Sequence, residues 1–464
     1  MHTHTLFIEK IISGGLGLGH LPDGLVVMIP DVLPEEEVTC RLHTKKKGYA
    51  LADLVQVVVP SPHRIKPTCP VADQCGGCDL QHADYDLQLQ IKGSILTDHL
   101  LSARIIQNNE VTNVIQPPIA SPQTFGYRQR IRMRVEHGRP GFLQVHSKTM
   151  VAVNHCPLAR PEINEFLATI HNKTVLPEIL RKCLELEILF NQADGGVVLL
   201  LHLAAKPRAA DIKTAELIPK QLPMVQTVFL KHPDQHQMGP FGASDPYQMG
   251  LNFPAHQEGR LPEYSLHFEP GGFCQVNLEQ NRNMINQLLT WSSSTPPRRV
   301  LDLFCGMGNF SIPMAYVADR VVGMDLQRSS IRSARRNAET LGLTNCNFER
   351  ISAEDGIREV TCTGQQFDLL LLDPPRRGCK EIIQEIKSLG RPPIIMISCD
   401  PATLTRDLAG ILPLGYRLNK AGLVDMFPQT HHLETMVQLL PHEPNLNHQT
   451  YDNPPQGSLG KVSV

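Results

Sequence analysis

Apolar positions near the start of the chain come in short, closely spaced runs. Ile8, Ile11 and Ile12 lead into Gly14-Gly15-Leu16-Gly17-Leu18-Gly19, and further runs span Leu25–Ile29, Glu37–Leu42 and Leu51–Val59. Turn residues at Pro22-Asp23-Gly24 and Lys47-Gly48 separate them, so the pattern predicts strands of a small β-barrel. Ser61-Pro62 and Lys66-Pro67 mark a linker. Leu87, Ile91, Ile95 and Leu100 then recur at helical spacing, which predicts a helix from about Tyr85 to Leu101. From Phe125 to Phe268 strands and helices alternate without fixing a topology. Gly196–Ala205 reads as a buried strand and Asn281–Leu289 as a helix. From Arg299 to Leu440 the order strand, glycine turn, helix, strand repeats, which predicts a Rossmann-like, doubly wound parallel sheet. The end, Pro441–Val464, is rich in Pro, Asn and Gln and reads as a disordered tail.

These patterns divide the 464 residues into an OB-like β-barrel (1–60), a central α/β domain (61–268), an α/β catalytic domain (269–440) and a tail (441–464). The helical stretch near 85–118 is a candidate to pack on the catalytic domain. Hydrophobic residues make up 41% and charged residues 19%, so a wholly disordered chain is excluded. No apolar run approaches the ~18 residues that span a bilayer. Met1–Lys10 has no signal-peptide core, so the expected setting is the cytoplasm, with no membrane partner. A monomer is expected.

The net charge of −2 favours no partner, but its distribution does. Arg41–Lys66 carries six basic residues and one acid, and Ser121–Arg160 carries seven and one. Such patches suit a polyanion, although a solvated charged face has the same pattern. Arg128, Arg130, Arg132 and Arg134 alternate with Gln129, Ile131, Met133 and Val135, so on a strand all four would share one face. A row of like charges is costly unless an anion meets it. The four are expected to bind RNA, with a solvated or acid-paired face as the alternative.

The richest chemistry lies in the C-terminal part. The strand Arg299–Phe304 runs into Cys305-Gly306-Met307-Gly308-Asn309, and a second strand ends at Asp325. Glycines let the backbone approach a ligand, and an acid about twenty residues on suits ribose hydroxyls. The missing third glycine favours a nucleoside without pyrophosphate, such as S-adenosylmethionine. Asp373-Pro374-Pro375-Arg376 ends another strand, and Ser398-Cys399-Asp400-Pro401 ends the next. D-P-P also occurs in methyltransferases of amino nitrogens, but those carry an aromatic residue where Arg376 stands. Phe427-Pro428-Gln429-Thr430-His431-His432-Leu433-Glu434 completes the set. Cys69, Cys75 and Cys78 form a C-x5-C-x2-C cluster, with Cys156 apart. By spacing alone, structural zinc and an iron–sulfur cluster are both open.

Together these residues resemble the RNA uracil C5-methyltransferase family, over nearly the whole chain. The resemblance implies a TRAM-type RNA-binding barrel over Leu6–Val59 and a [4Fe–4S] cluster on Cys69, Cys75, Cys78 and Cys156. It implies Cys399 as nucleophile and Glu434 as general base. Gln275 of Phe273-Cys274-Gln275-Val276-Asn277, with Phe304, Asn309, Asp325 and Asp373, would line the S-adenosylmethionine site, and Ser352 would lie near the adenine. The implied substrate is RNA, 23S ribosomal RNA first, with transfer RNA or a catalytically silent RNA-binding iron–sulfur protein as alternatives. Two departures stand out. Asp325 occupies a position where relatives often have Glu. Asp400 follows the nucleophile where Asn is common, and its carboxylate is expected to raise the Cys399 pKa.

Overall fold

The computed structural model describes residues 3–145, 147–170, 176–242, 249–256, 259–293 and 296–442. The expected tail therefore lies almost entirely outside the described residues.

The N-terminal runs form a six-stranded sheet in the order Thr3–Phe7, Glu37–Lys46, Tyr49–Val59, Val26–Ile29, Leu16–His20, Lys10–Ile12. Its glycines allow it to curl: a Cβ on Gly19 would sit 2.3 Å from the Phe7 carbonyl oxygen, and one on Gly17 would sit 2.2 Å from Val32. A second sheet, of seven strands, spans the middle of the chain. Its order is Met150–Ala152, Arg139–Leu143, Arg130–Glu136, Cys183–Phe190, Val197–Leu203, Val225–His232, Gln235–Gly242.

The C-terminal sheet has eight strands. Cys346–Glu349, Arg320–Met324, Arg299–Leu303, Leu369–Leu372 and Ile394–Ser398 run parallel in that order. Glu434–Pro441 follows antiparallel, then Tyr416–Val424, then Ile115–Ile119. The sheet expected to be parallel is thus mixed, because Tyr416–Val424 returns directly into Glu434–Pro441 without a crossover helix. Ile115–Ile119 comes from the stretch 85–118 and pairs parallel with Tyr416–Val424. The division at residue 269 therefore separates a strand from its own sheet.

Alternation along these strands feeds two cores, as expected for a sheet covered on both faces. Leu301, Leu303, Leu370, Leu372 and Met396 pack with the helices Tyr85–Ser102, Ala353–Cys362 and Pro401–Ile411. That core continues without a break into Ile8, Val27, Ile29 and Leu33 of the N-terminal sheet. Val300, Val321, Leu371, Ile395 and Ile397 pack the other way, on Leu278–Ser292 and Arg328–Thr340. No helix among the described residues is long and apolar enough to cross a membrane.

Candidate active site

Phe304, Asp325, Asp373 and Cys399 each follow the last residues of adjacent strands, so one edge of the sheet gathers all four. The antiparallel strand brings the fifth group. Ser398 pairs with Thr435, and the register carried one residue further sets Cys399 opposite Glu434. Opposed residues of antiparallel strands have Cα atoms about 4.5–5.5 Å apart. A parallel strand would have put its first residue at the far edge of the sheet.

Charge and burial define the chemistry of this edge. Glu434 is 5% exposed. Burial, then the Asp373 charge, raises its pKa to about 8, against the pull of Arg376. Burial, then the charges of Glu434 and Asp373, pushes the Cys399 thiol up to about 11, again opposed by Arg376. Asp373, enclosed by protein though not wholly inaccessible, is raised by desolvation to about 7. Asp400 is not the chief perturbing charge. Its carboxylate instead caps the helix Pro401–Ile411, accepting from Thr403 N at 2.6 Å. The expected influence of Asp400 on the thiol thus passes to Glu434. Arg376, read in the sequence only as a departure, is the cation that acts on both Cys399 and Glu434.

The glycine turn forms the other half. Phe304 holds a left-handed backbone (φ 66°), as do Gly306 and Gly308. A Cβ on Gly306 would meet nothing within 4 Å, so the turn borders open space. Asp325 is fixed by main-chain donors, Gly306 N at 3.1 Å and Gln327 N at 2.7 Å. Beneath the turn Asp302 is fully buried, accepts from Ser311 Oγ, and is raised to about 7 by burial. Its Oδ1 has no hydrogen-bond partner among the described residues. A cradle with room at Gly306 and three acids around it fits a nucleoside that bears a cationic centre.

The other expected cofactor residues have partners within the protein. The side chain of Asn309 pairs reciprocally with that of Asn281 at 2.7 and 2.9 Å, tying the turn to the helix Leu278–Ser292. Ser352 caps the helix Ala353–Cys362 and donates to Asp355 at 2.7 Å. Gln275 is buried, and its carbonyl accepts from Gln129 Nε2 at 2.8 Å.

The loop before Glu434 is held from outside the catalytic sheet. The carbonyl oxygens of Asp425, Met426, Phe427 and Pro428 accept from Gln280, Asn277, Lys92 and Tyr127, and that of Gln429 accepts from Leu80 N at 3.1 Å. Lys92, fully buried, also lies 2.5 Å from the Asp425 carboxylate, to which Tyr85 donates at 2.8 Å. Sequence reasoning missed Lys92, Asp425 and Asn281, because their signals are partners remote in the chain.

Cys69, Cys75, Cys78 and Cys156 lie within reach of one another's charges. Cys75 bridges to Gln144, and Asn164 holds Cys156 through both its main-chain groups. Burial pushes the Cys78 thiol up to about 12, and the charges of Cys156 and Cys75 add to this. Among the described residues no group of three or more His, Cys, Asp or Glu side chains is placed to hold a metal ion.

The four arginines do not form one open face. Arg130 pairs with Glu187 at 2.5 Å and Arg132 with Glu185, so neighbouring acids meet the charge row. Arg128 precedes the strand, beside the cysteines, with its guanidinium 5.8 Å from the centre of the Phe427 ring. Arg134 stays exposed.

A family profile described as tRNA (Uracil-5-)-methyltransferase matches residues 258–442, and one described as TRAM domain matches residues 3–55. A Shewanella sediminis protein named 23S rRNA (uracil(1939)-C(5))-methyltransferase RlmD is 33% identical over 445 residues, covering 93% of this chain and 95% of the relative. The chain belongs to the RNA uracil C5-methyltransferase family. A second RNA uracil C5-methyltransferase relative of the same name, from Shewanella halifaxensis, is 34% identical with 93% and 94% coverage. The tRNA (uracil-54, C5)-methyltransferase of Pyrococcus abyssi, solved with S-adenosyl-L-homocysteine, shares the fold at TM-score 0.69 and 22% identity, over 94% of this chain and all of that one. As a member, the chain is an RNA (uracil-5-)-methyltransferase, with S-adenosylmethionine as methyl donor.

Proposed function

We propose that this enzyme methylates C5 of a uridine in 23S ribosomal RNA, through a covalent bond between Cys399 and uracil C6. The observation that carries the mechanism is the register of Ser398 with Thr435, which makes Cys399 and Glu434 neighbours at the ligand-binding edge. S-adenosylmethionine, held by Gln275, Phe304, Asn309, Asp325 and Asp373 with Ser352 toward the adenine, supplies the methyl group. Cys399 adds as thiolate to C6, and the displaced π electrons make C5 nucleophilic. After C5 is methylated, Glu434 takes the C5 proton. The C–H electrons then re-form the C5–C6 double bond as the C6–S bond breaks, and the thiolate leaves. A carboxylate whose pKa is raised to about 8 is a stronger base than an ordinary one, which suits a carbon acid. The target base must be unstacked, at a cost of a few kcal/mol.

The order of steps makes an asymmetric test. Cys399→Ala abolishes both methylation and any covalent RNA adduct. Glu434→Gln permits attack and methyl transfer, then stalls, so a methylated adduct survives denaturing electrophoresis. A stable adduct in Cys399→Ala, or normal turnover in Glu434→Gln, refutes the assignment. The ribosomal target follows the names of relatives that match this chain over 93% of its length. Mapping 5-methyluridine in ribosomal and transfer RNA from a deletion strain distinguishes it from a transfer RNA target.

The four cysteines are proposed as ligands of a [4Fe–4S] cluster. Their donor chemistry supports it: burial first, then the charges of neighbouring cysteines, raises the thiols of Cys75, Cys78 and Cys156, while Arg128 pulls those of Cys78 and Cys156 down. Four cysteine thiolates are the ligand set of a [4Fe–4S] cluster. Anaerobically purified protein is expected to be brown and to hold four irons (one cubane) per chain. Stoichiometric zinc without a visible chromophore refutes this.

A further inference from the structure

The loop that ends in Glu434 has two halves with different anchors. Residues 425–429 are held by Lys92, Tyr127, Asn277, Gln280 and Leu80. The half next to Glu434 has far fewer ties. Thr430 bonds only within the loop, to the Phe427 carbonyl at 2.9 Å, and Leu433 is buried in the apolar core. Among the described residues, the polar link of this half to the rest of the protein is Asp79. One carboxylate oxygen accepts from His431 N at 2.6 Å, and the other bonds the His431 ring at Nδ1. Asp79 itself is fixed by its own N–H on the Gln429 carbonyl at 3.2 Å, next to Cys78. The glycine-rich turn of the N-terminal sheet closes the junction. A Cβ on Gly15 would lie 3.3 Å from Asp79 Cγ and 3.4 Å from His431 Cβ.

We propose that Asp79 is a positioning residue for the proton-abstraction step: by tying the cysteine segment to His431, it holds the half of the loop that delivers Glu434. This rests on the assignment of Glu434 as the base. Removing Asp79 frees His431 and with it His432, between Thr430 and the buried Leu433, and leaves the first half of the loop, and Cys399 on its own strand, as they were. Attack and methyl transfer therefore survive, and elimination slows. General loss of structure has the opposite signature, since it suppresses attack as well.

The test uses the full-length protein with its metal content measured, labelled ribosomal RNA lacking 5-methyluridine, and S-adenosylmethionine. Asp79→Ala, Asp79→Asn and Glu434→Gln are compared in parallel. A misplacement near 1 Å costs about 100-fold, so Asp79→Ala is expected to turn over about 10- to 100-fold more slowly. It is also expected to accumulate methylated, denaturation-resistant adduct, with RNA affinity and metal content unchanged. Asp79→Asn keeps an acceptor for His431 N and is expected to regain most of the turnover and lose most of the adduct. Unchanged turnover in Asp79→Ala overturns the proposal, as does lost turnover without adduct or with lost metal. If Glu434→Gln turns over normally, the base assignment itself has failed, and the proposal falls with it. If Glu434→Gln stalls while Asp79→Ala does not, only the positioning role has failed.

Discussion

Glu434, the proposed base, illustrates the cost of placing a carboxylate in a protein interior. Burial raises its pKa to about 8, whereas the unfolded chain has an ordinary carboxylate. Between those values the folded protein keeps a proton that the unfolded chain releases, so stability falls as pH rises through this window. Glu434→Gln removes that penalty. The variant is expected to melt higher than the native-sequence protein by a margin that is small near pH 5 and grows toward pH 8.5. There it corresponds to on the order of 1–3 kcal/mol. Thermal melts across that range check it, and a margin independent of pH contradicts the buried-acid account. At this scale the sequence was informative about identity and less so about contact. Cys399, Glu434, Asn309 and Ser352 all stand out by motif, but that Asn309 bonds Asn281 and Ser352 bonds Asp355 does not. A motif names a position, and the direction of its side chain depends on neighbours that the motif does not contain.

Elements were legible where periodicity is local. The helix expected near Tyr85–Leu101 spans Tyr85–Ser102, and the one expected at Asn281–Leu289 extends to Leu278–Ser292. What periodicity hides is a polar residue turned inward, because its partner lies elsewhere in the chain. Lys92 occupies the buried face of its helix and meets Asp425, 333 positions away. Lys92→Met leaves that carboxylate buried with only Tyr85 and is expected to destabilise the protein by about 3–5 kcal/mol. Adding Asp425→Asn should recover part of the loss, since it removes the orphaned charge. Chemical denaturation of both variants checks this, and strict additivity would mean that the pair does not interact. The alternating arginines teach the same lesson. The period correctly put Arg130, Arg132 and Arg134 on one face, but the anions that meet two of them, Glu185 and Glu187, come from the strand Cys183–Phe190.

For the whole molecule, those pairings sort the basic surface. Arg134 is exposed, whereas Arg130 is paired with Glu187. Neutralising one phosphate contact lowers the slope of log affinity against log salt by about 0.7–0.9. Arg134→Gln is therefore expected to reduce the slope for RNA by about one such unit, and Arg130→Gln to leave it unchanged. Equal changes in both variants would mean that the ion pair opens when RNA binds. The N-terminal β module and the C-terminal α/β repeat were readable in the sequence, because their apolar periods differ. The path of Ile115–Ile119 into the C-terminal sheet was not, since a five-residue strand carries no address for its partner.

That strand has a consequence for how the protein is made. Ile115–Ile119 leaves the ribosome roughly three hundred residues before its partner Tyr416–Val424. At about 5–20 residues per second, the wait is roughly 15–60 s. For the first part of it the helix Tyr85–Ser102 also lacks Leu301, Leu370 and Met396, which share its core. The nascent chain must therefore carry an unpaired strand until Tyr416–Val424 is synthesised. A catalytic fragment begun at residue 258 would meet the converse problem, with an open sheet edge and no helix to close it.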